Sequence, residues 1–255
     1  GGGSHSEECQ PPQTRCDTGA AYRGRDASRH VMGVATVSCV PGRKATGVVR
    51  DGVHSGALAI SDGTKAIVTA QIETQGMFAA YKIGPYGLED IRRDAASAAT
   101  KARPGGPKIG PGQIVVDSNH SHAGPDTAGV WGGVPESYLQ LVHDRTVAAI
   151  VRAYTSMVPA TLSFGTAKGG VNGKDANALI NNQFSNDPAN QAVDDELRVL
   201  QARTVAGKVI VTYLNFAAHP TVLGGGNTLA SGDYTDPLSN LPARLVGVGF
   251  RPART

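Results

Sequence analysis

The chain has 255 residues, of which 40% are apolar but only 5% aromatic, so its core must consist mainly of aliphatic side chains. Its net charge is +3 and its pI is near 8.8. The sequence has no Lys/Arg cluster interleaved with aromatic residues and no apolar run near the ~18 residues of a membrane-spanning helix. We therefore expect neither a nucleic-acid partner nor a transmembrane segment.

Residues 1–47 show little periodicity and predict a poorly ordered lead-in with one strand near residues 31–40. The three cysteines, Cys9, Cys16 and Cys39, all lie in this region. An odd number leaves two arrangements open, one disulfide with a spare thiol or three free thiols. An organised domain is predicted over residues 48–240, followed by an atypical tail over residues 241–255.

Hydrophobic periodicity predicts strands and helices in the organised part. Strands are expected at residues 57–61 and 65–73, joined by a hairpin turn at Asp62-Gly63. Helices are expected over residues 88–102 and 135–157, with Pro135 in the first turn of the second helix. Strands follow at residues 160–166, 196–202 and 208–216. This order predicts an α/β fold in which helices pack on a mixed sheet.

The second predicted helix has one apolar stripe at spacings of three and four residues, formed by Tyr138, Leu139, Val142, Thr146, Ala149, Ile150 and Ala153. His143 lies inside this helix and is interpreted as a helix-surface or packing residue.

Two histidine motifs stand out because each follows an apolar run that predicts a strand. Ile114-Val115-Val116 leads into Asn119-His120-Ser121-His122, and residues 208–216 lead into His219-Pro220-Thr221. Residues two apart in a strand share a face, so His120 and His122 can point into one pocket. Zinc binds imidazole nitrogens, and a catalytic zinc keeps one position open. The pattern favours a zinc site, and two polar loop histidines remain the alternative.

Asn119-His120-Ser121 also matches a glycosylation sequon. We expect it not to be used, because a glycan there would block the pocket.

These motifs resemble the two histidine motifs of the neutral/alkaline (non-lysosomal) ceramidases, zinc-dependent amidases that cut the N-acyl bond of ceramide. Gly52-Val53-His54, Glu73-Thr74-Gln75-Gly76 and residues 193–200 support the resemblance, which covers residues 48–238. It implies part of a catalytic domain that hydrolyses an N-acyl amide bond with zinc. The implied substrate class is ceramide or a related N-acyl lipid, and the implied location is extracellular or periplasmic. The oligomeric state stays open.

The resemblance also implies residue roles. His120 and His219 correspond to zinc ligands, and His122 corresponds to a catalytic histidine beside the substrate amide. A neighbouring imidazole of this kind can donate a hydrogen bond to the developing oxyanion.

Two departures from the family pattern bear on activity. Asn182 stands where the family has an arginine that reaches the substrate, which favours another N-acyl compound or an ester. The family places its remaining zinc ligands, a glutamate and a tyrosine, and a serine motif far downstream, whereas this chain ends soon after His219. We therefore expect a truncated or frame-altered sequence. The alternative function is a catalytically incomplete fragment or a binding module that keeps the scaffold.

Two other metal-enzyme classes fit less well. A metallo-β-lactamase-type site needs an aspartate two residues after the second histidine, where this chain has Gly124. A (β/α)₈ barrel needs most of ~250 residues, and too few follow His120.

Overall fold

A computed structural model describes residues 29–32, 47–48, 53–77, 84–129, 133–168, 196–216, 220–223, 227–235 and 251–252. The three cysteines, Asn182 and His219 lie outside these ranges. The predictions that rest on them, and the predicted limits of the lead-in, domain and tail, therefore stay predictions.

The described elements are, in chain order, β1 (Arg29–Met32), β2 (Gly47–Val48), β3 (Val53–Ser61), β4 (Ala66–Ile72), α1 (Leu88–Ala102), β5 (Ile114–Ser118), α2 (Glu136–Thr155), β6 (Ala160–Lys168), β7 (Glu196–Thr204), β8 (Val209–Asn215), β9 (Leu229–Ala230) and β10 (Arg251–Pro252). A short 3₁₀ helix, Pro111–Gln113, precedes β5.

Both predicted helices are confirmed. The bounds of α1 agree with the prediction, and α2 begins one residue after Pro135, which caps it with extended backbone. Strand β3 begins at Val53, four residues before its predicted start. The reason is non-local, since residues 53–56 of β3 pair with β1.

The first sheet has the strand order β1-β3-β4-β5. Its β4 and β5 strands run parallel, and the other neighbouring pairs are antiparallel. Both helices contribute to its core. Alternate residues of β4, from Ala66 to Ile72, are fully buried, and all seven members of the predicted α2 stripe are buried. This face of the sheet carries the hydrophobic core.

The predicted hairpin between β3 and β4 is confirmed at Asp62-Gly63. The Asp62 carboxylate accepts hydrogen bonds from the backbone N–H groups of Thr64 and Lys65 at 2.8 and 2.9 Å. These bonds, with one from the Thr64 hydroxyl, lower the pKa of Asp62 to about 2. Gly63 has a φ of 93°, a left-handed conformation that glycine adopts without a steric cost.

The second sheet has the order β10-β8-β7-β6 with antiparallel neighbours. The predicted α/β class, with sheets and helices packed together, is confirmed. The strands are divided between two four-stranded sheets, however, because β6, β7 and β8 form successive antiparallel pairs with one another. A further short parallel pair joins β2 to β9.

His143 packs between the two helices. Its Nδ1 lies 2.9 Å from Asp144 Oδ1, and its Nε2 lies 3.2 Å from Asp94 Oδ2 on α1. The side chain is buried. The predicted packing role is therefore confirmed.

Neither of the two described α-helices is both long and apolar enough to cross a membrane.

Candidate functional site

The site forms where β4 and β5 end. Because these strands are parallel, their carboxyl ends lie at the same edge of the sheet, with Ile72 opposite Ser118. The loop after β4, residues 73–76, therefore lies beside the loop after β5, residues 119–125. Backbone hydrogen bonds join the two loops, from Asn119 N to Ile72 O at 3.2 Å and from Gln75 N to Pro125 O at 3.2 Å.

His120 lies at the exposed rim of this edge in an unusual backbone conformation. Its φ is 64°, a left-handed value that is uncommon for a residue other than glycine. Its Nδ1 atom lies 2.5 Å from the carbonyl oxygen of Gln75. Since a carbonyl oxygen only accepts, Nδ1 must carry the proton. In the neutral ring the lone pair is then on Nε2, the arrangement typical of a histidine that binds a metal.

His122 places its ring beside that of His120. The two Nε2 atoms are 3.3 Å apart, and the ring planes meet edge to face at 89°. With the His120 lone pair on Nε2, the His122 Nε2 is the donor of this hydrogen bond. The rings of His120 and His122 thus lie side by side. The predicted reason, alternation along a strand, does not apply, because β5 ends at Ser118 and the backbone of His120 is left-handed.

The second histidine motif reaches the same place through its backbone. The N–H of His122 donates to the carbonyl oxygen of Pro220 at 3.1 Å. Pro220 directly follows His219 in the sequence. This contact brings the two motifs together at Pro220, and the position of the His219 side chain stays a prediction.

Asn119 uses both ends of its side-chain amide to connect three loops. Its Oδ1 accepts from the backbone N–H groups of Thr74 and Ser121 at 3.2 and 3.1 Å. Its Nδ2 donates to Gly232 O at 3.2 Å and to Thr235 Oγ1 at 2.7 Å. A glycan replaces one hydrogen of Nδ2 and would therefore break at least one of the last two bonds, which supports the prediction that the sequon is not used.

A buried carboxylate, that of Glu73, begins the loop that follows β4. Glu73 Oε2 accepts from both the backbone N and the Nδ1 of His54 at 2.9 Å. A Cβ atom at Gly232 would lie 2.6 Å from Glu73 Cδ, so only glycine lets this loop approach the carboxylate. Glu73 therefore helps to hold the site together, a role that motif reading alone did not reveal.

A second carboxylate shapes the loop around Pro220. Asp233, at a φ of 60°, accepts from the backbone N–H groups of Val222, Leu223 and Tyr234 at 3.2, 2.8 and 2.6 Å. Ser231 N donates to Ala123 O at 3.0 Å, which ties this loop to the one that carries the histidines. Four loops thus converge on His120 and His122.

Asp117, three residues before His120, is half-buried as a residue, and its Oδ1 atom is buried. Its Oδ1 has no hydrogen-bond partner within the described part of the chain. Burial raises the pKa of Asp117 to about 6. Burial and the nearby Asp117 charge also raise the pKa of Tyr213 on β8. The Asp117 carboxyl group on β5 therefore lies near enough to Tyr213 on β8 for its charge to act on the phenol.

We expect the stability of the protein to fall as pH rises from about 4 to about 6. The unfolded chain loses the Asp117 proton near its ordinary pKa of about 3.9, whereas the folded chain retains it to about 6. The difference of about two pKa units corresponds to about 3 kcal/mol of unfolding free energy. Asp117→Asn should lack this loss, as measured by urea unfolding at each pH.

Asp62→Asn is the control for this measurement. The pKa of Asp62 is lowered, so its contribution is present above about pH 4 and is lost as pH falls towards 2. An Asp117→Asn variant with the pH dependence of the wild type would contradict the assignment.

Within the described ranges, His120 presents an Nε2 lone pair that can bind a zinc ion, and His122 presents an N–H group beside it. The His120 tautomer fits this role, since the Gln75 carbonyl leaves the Nε2 lone pair on the side of His122. Across the described ranges, no group of three or more His, Cys, Asp or Glu side chains is placed to hold a metal. His219, the other predicted ligand, lies outside those ranges.

The comparisons with known proteins support a ceramidase-like fold. No protein-family model and no curated protein sequence matches the chain. Among solved structures, it is similar to a ceramidase complexed with C2, with a TM-score of 0.58 and 18% identity over 84% of this chain. It is also similar to the neutral ceramidase from Pseudomonas aeruginosa, with a TM-score of 0.58 and 17% identity over 84% of this chain.

This similarity confirms the resemblance predicted from the histidine motifs at the level of the fold. The matched region is 33% of the first ceramidase chain and 34% of the second. The chain thus spans about a third of the length of these ceramidases, and its fold is that of part of a neutral ceramidase-like protein.

Proposed function

We propose that the chain is part of a zinc-dependent hydrolase that cleaves N-acyl amide bonds, with ceramide or a related N-acyl lipid as its substrate class. The observation that carries this proposal is the His120–His122 pair, which lies on a ceramidase-like fold with one Nε2 lone pair and one Nε2–H group 3.3 Å apart. An extracellular or periplasmic location belongs to the same proposal.

In this proposal His120 and His219 hold the zinc ion. The tautomer of His120 supports its assignment, and the bond from His122 N to Pro220 O supports the approach of His219. Zinc acts in such sites as a Lewis acid or lowers the pKa of a bound water. His122 donates its Nε2–H to the substrate carbonyl oxygen as negative charge develops there. The exposed edge of His120 leaves room for a substrate to approach.

A second candidate is a scaffold that binds zinc or lipid without turnover. The specific observation in its favour is that no group of three or more His, Cys, Asp or Glu side chains that could hold a metal is brought together within the described ranges. Catalytic zinc sites use three protein ligands, so a site with fewer would bind zinc weakly.

Zinc binding and hydrolysis measured on the same preparation test the proposal. After removal of metal with a chelator, equilibrium dialysis should show one zinc ion per chain that is easily stripped again. A fluorescent short-chain N-acyl amide then reports turnover. Zinc binding with hydrolysis supports the hydrolase, and zinc binding without hydrolysis supports the scaffold. The absence of any stoichiometric zinc would contradict the proposed metal site.

A further inference from the structure

We propose that Asn119 is a positioning residue, whose side chain holds three loops together so that the Gln75 carbonyl keeps His120 in the tautomer protonated at Nδ1. The role of that tautomer, which is to bind zinc through Nε2, rests on the proposed function. The arrangement of Asn119 itself is independent of the proposed function.

The first step is the position of the Gln75 carbonyl. Gln75 directly follows Thr74, and the backbone N–H of Thr74 donates to Asn119 Oδ1 at 3.2 Å. The same oxygen accepts from the N–H of Ser121, on the other side of His120, at 3.1 Å. One amide oxygen thus helps to hold both the loop that supplies the carbonyl and the loop that carries the imidazole, beside the backbone bond from Gln75 N to Pro125 O.

The second step is the anchoring of Asn119. Its Nδ2 group donates to Gly232 O and to Thr235 Oγ1 at 3.2 and 2.7 Å. The Thr235 hydroxyl donates in turn to Gly232 O at 2.6 Å, and both residues are buried. Because both hydrogens of Nδ2 are engaged, the amide cannot rotate without breaking bonds on both sides.

The third step concerns the backbone of His120. A residue other than glycine keeps a φ of 64° only when its surroundings hold it there. Two bonds of Asn119 supply that constraint, one from Ser121 in the same loop and one from Thr74 in the loop that provides the Gln75 carbonyl. When they are lost, we expect the His120 ring to leave the Gln75 carbonyl and to exchange between its two neutral tautomers.

Three variants test this chain of contacts. Asn119→Ala removes all four side-chain bonds. Asn119→Asp retains the oxygen that accepts from Thr74 and Ser121 but loses both donors. Asn227→Asp is the matched control, because Asn227 also bonds through both amide atoms, to Leu229 O at 2.6 Å and from Leu229 N at 3.2 Å. These two contacts lie within its own loop.

The first readout is the tautomer of His120 in the zinc-free protein, observed by NMR of the ¹⁵N-labelled imidazole. Wild type and Asn227→Asp should show the proton on Nδ1, and Asn119→Ala should show a mixture. The second readout is zinc affinity. We expect a 10- to 100-fold loss in Asn119→Ala, the range found when an outer partner of a ligand is removed. Asn119→Asp should fall between Asn119→Ala and wild type in both readouts.

An unchanged tautomer and a zinc affinity within about twofold of wild type in Asn119→Ala would overturn the inference. If Asn119→Ala does not fold, the same result in Asn119→Asp would overturn it. If the wild type binds no zinc but the Asn119 variants still differ from it in the His120 tautomer, the result would contradict the proposed function and support the positioning role.

Discussion

In a full-length parent that is a zinc amidase, replacement of His120 by alanine is expected to abolish zinc binding and hydrolysis together. Replacement of His122 is expected to leave zinc bound and to lower the turnover rate about 100-fold, the usual effect of removing one donor to an oxyanion. The difference arises because the Gln75 carbonyl fixes the His120 lone pair on Nε2, whereas His122 contributes an N–H group at this position. Zinc content after dialysis and the rate of N-acyl hydrolysis are the two measurements.

His143→Ala is the control for these substitutions, because it removes an imidazole that packs between the helices. It should leave the zinc content unchanged. Equal loss of zinc in His120→Ala and His122→Ala would contradict the division of roles. The 3.3 Å between the two Nε2 atoms is also close to the separation of two nitrogens bound to one tetrahedral zinc, about 3.3–3.4 Å. Equal loss of zinc in the two variants would therefore make His122 a ligand.

Truncation of Ile72 to alanine is expected to lower the unfolding free energy by about 2–5 kcal/mol, whereas the same change at Ile67 should stay within about 0.5 kcal/mol. Both residues lie on β4, but Ile72 is 0% exposed and Ile67 is 62% exposed. Loss of buried methyl groups removes hydrophobic burial and leaves a cavity in the packed core. Urea unfolding of the two variants measures this difference directly.

The comparison within one strand separates burial from strand propensity, since the residue type and the change are the same. Equal effects at Ile72 and Ile67 would contradict the assignment of the β4 faces. The carboxyl end of β4 also supports the site, because Ile72 O accepts from the backbone of Asn119. We therefore expect Ile72→Ala to weaken zinc binding as well, and Ile67→Ala to leave it unchanged.

Local sequence patterns determined the helices and the hairpin. The prediction for α1 agrees with the structure at both ends, and all seven residues of the α2 stripe are buried. These features depend on residues a few positions apart, within one helix turn or one hairpin turn. The proximity of His120 and His122 is different, since β5 ends at Ser118 and His120 has a left-handed φ of 64°, so strand alternation does not explain it.

Non-local contacts decided the limits of the strands and the details of the site. The early start of β3 depends on β1, and the division into two sheets depends on which hairpins pair with each other. The sequence motif pointed to His120 but not to its partner Gln75, which is 45 positions away. Periodicity contains no information about such a pairing.

The sequence by itself therefore determined the α/β class, the two helices, the ceramidase resemblance and the identity of the histidine pair. Only the tertiary structure decided which nitrogen of His120 carries the proton and why Asn119 lies at the centre of the site. It also decided that the pKa of Asp117 rises to about 6, because burial does this. All three features have the same physical reason, which is that they depend on contacts between residues far apart in the sequence. Asn119 and Thr235, for example, are 116 positions apart, and their hydrogen bond forms only after the loops have packed together.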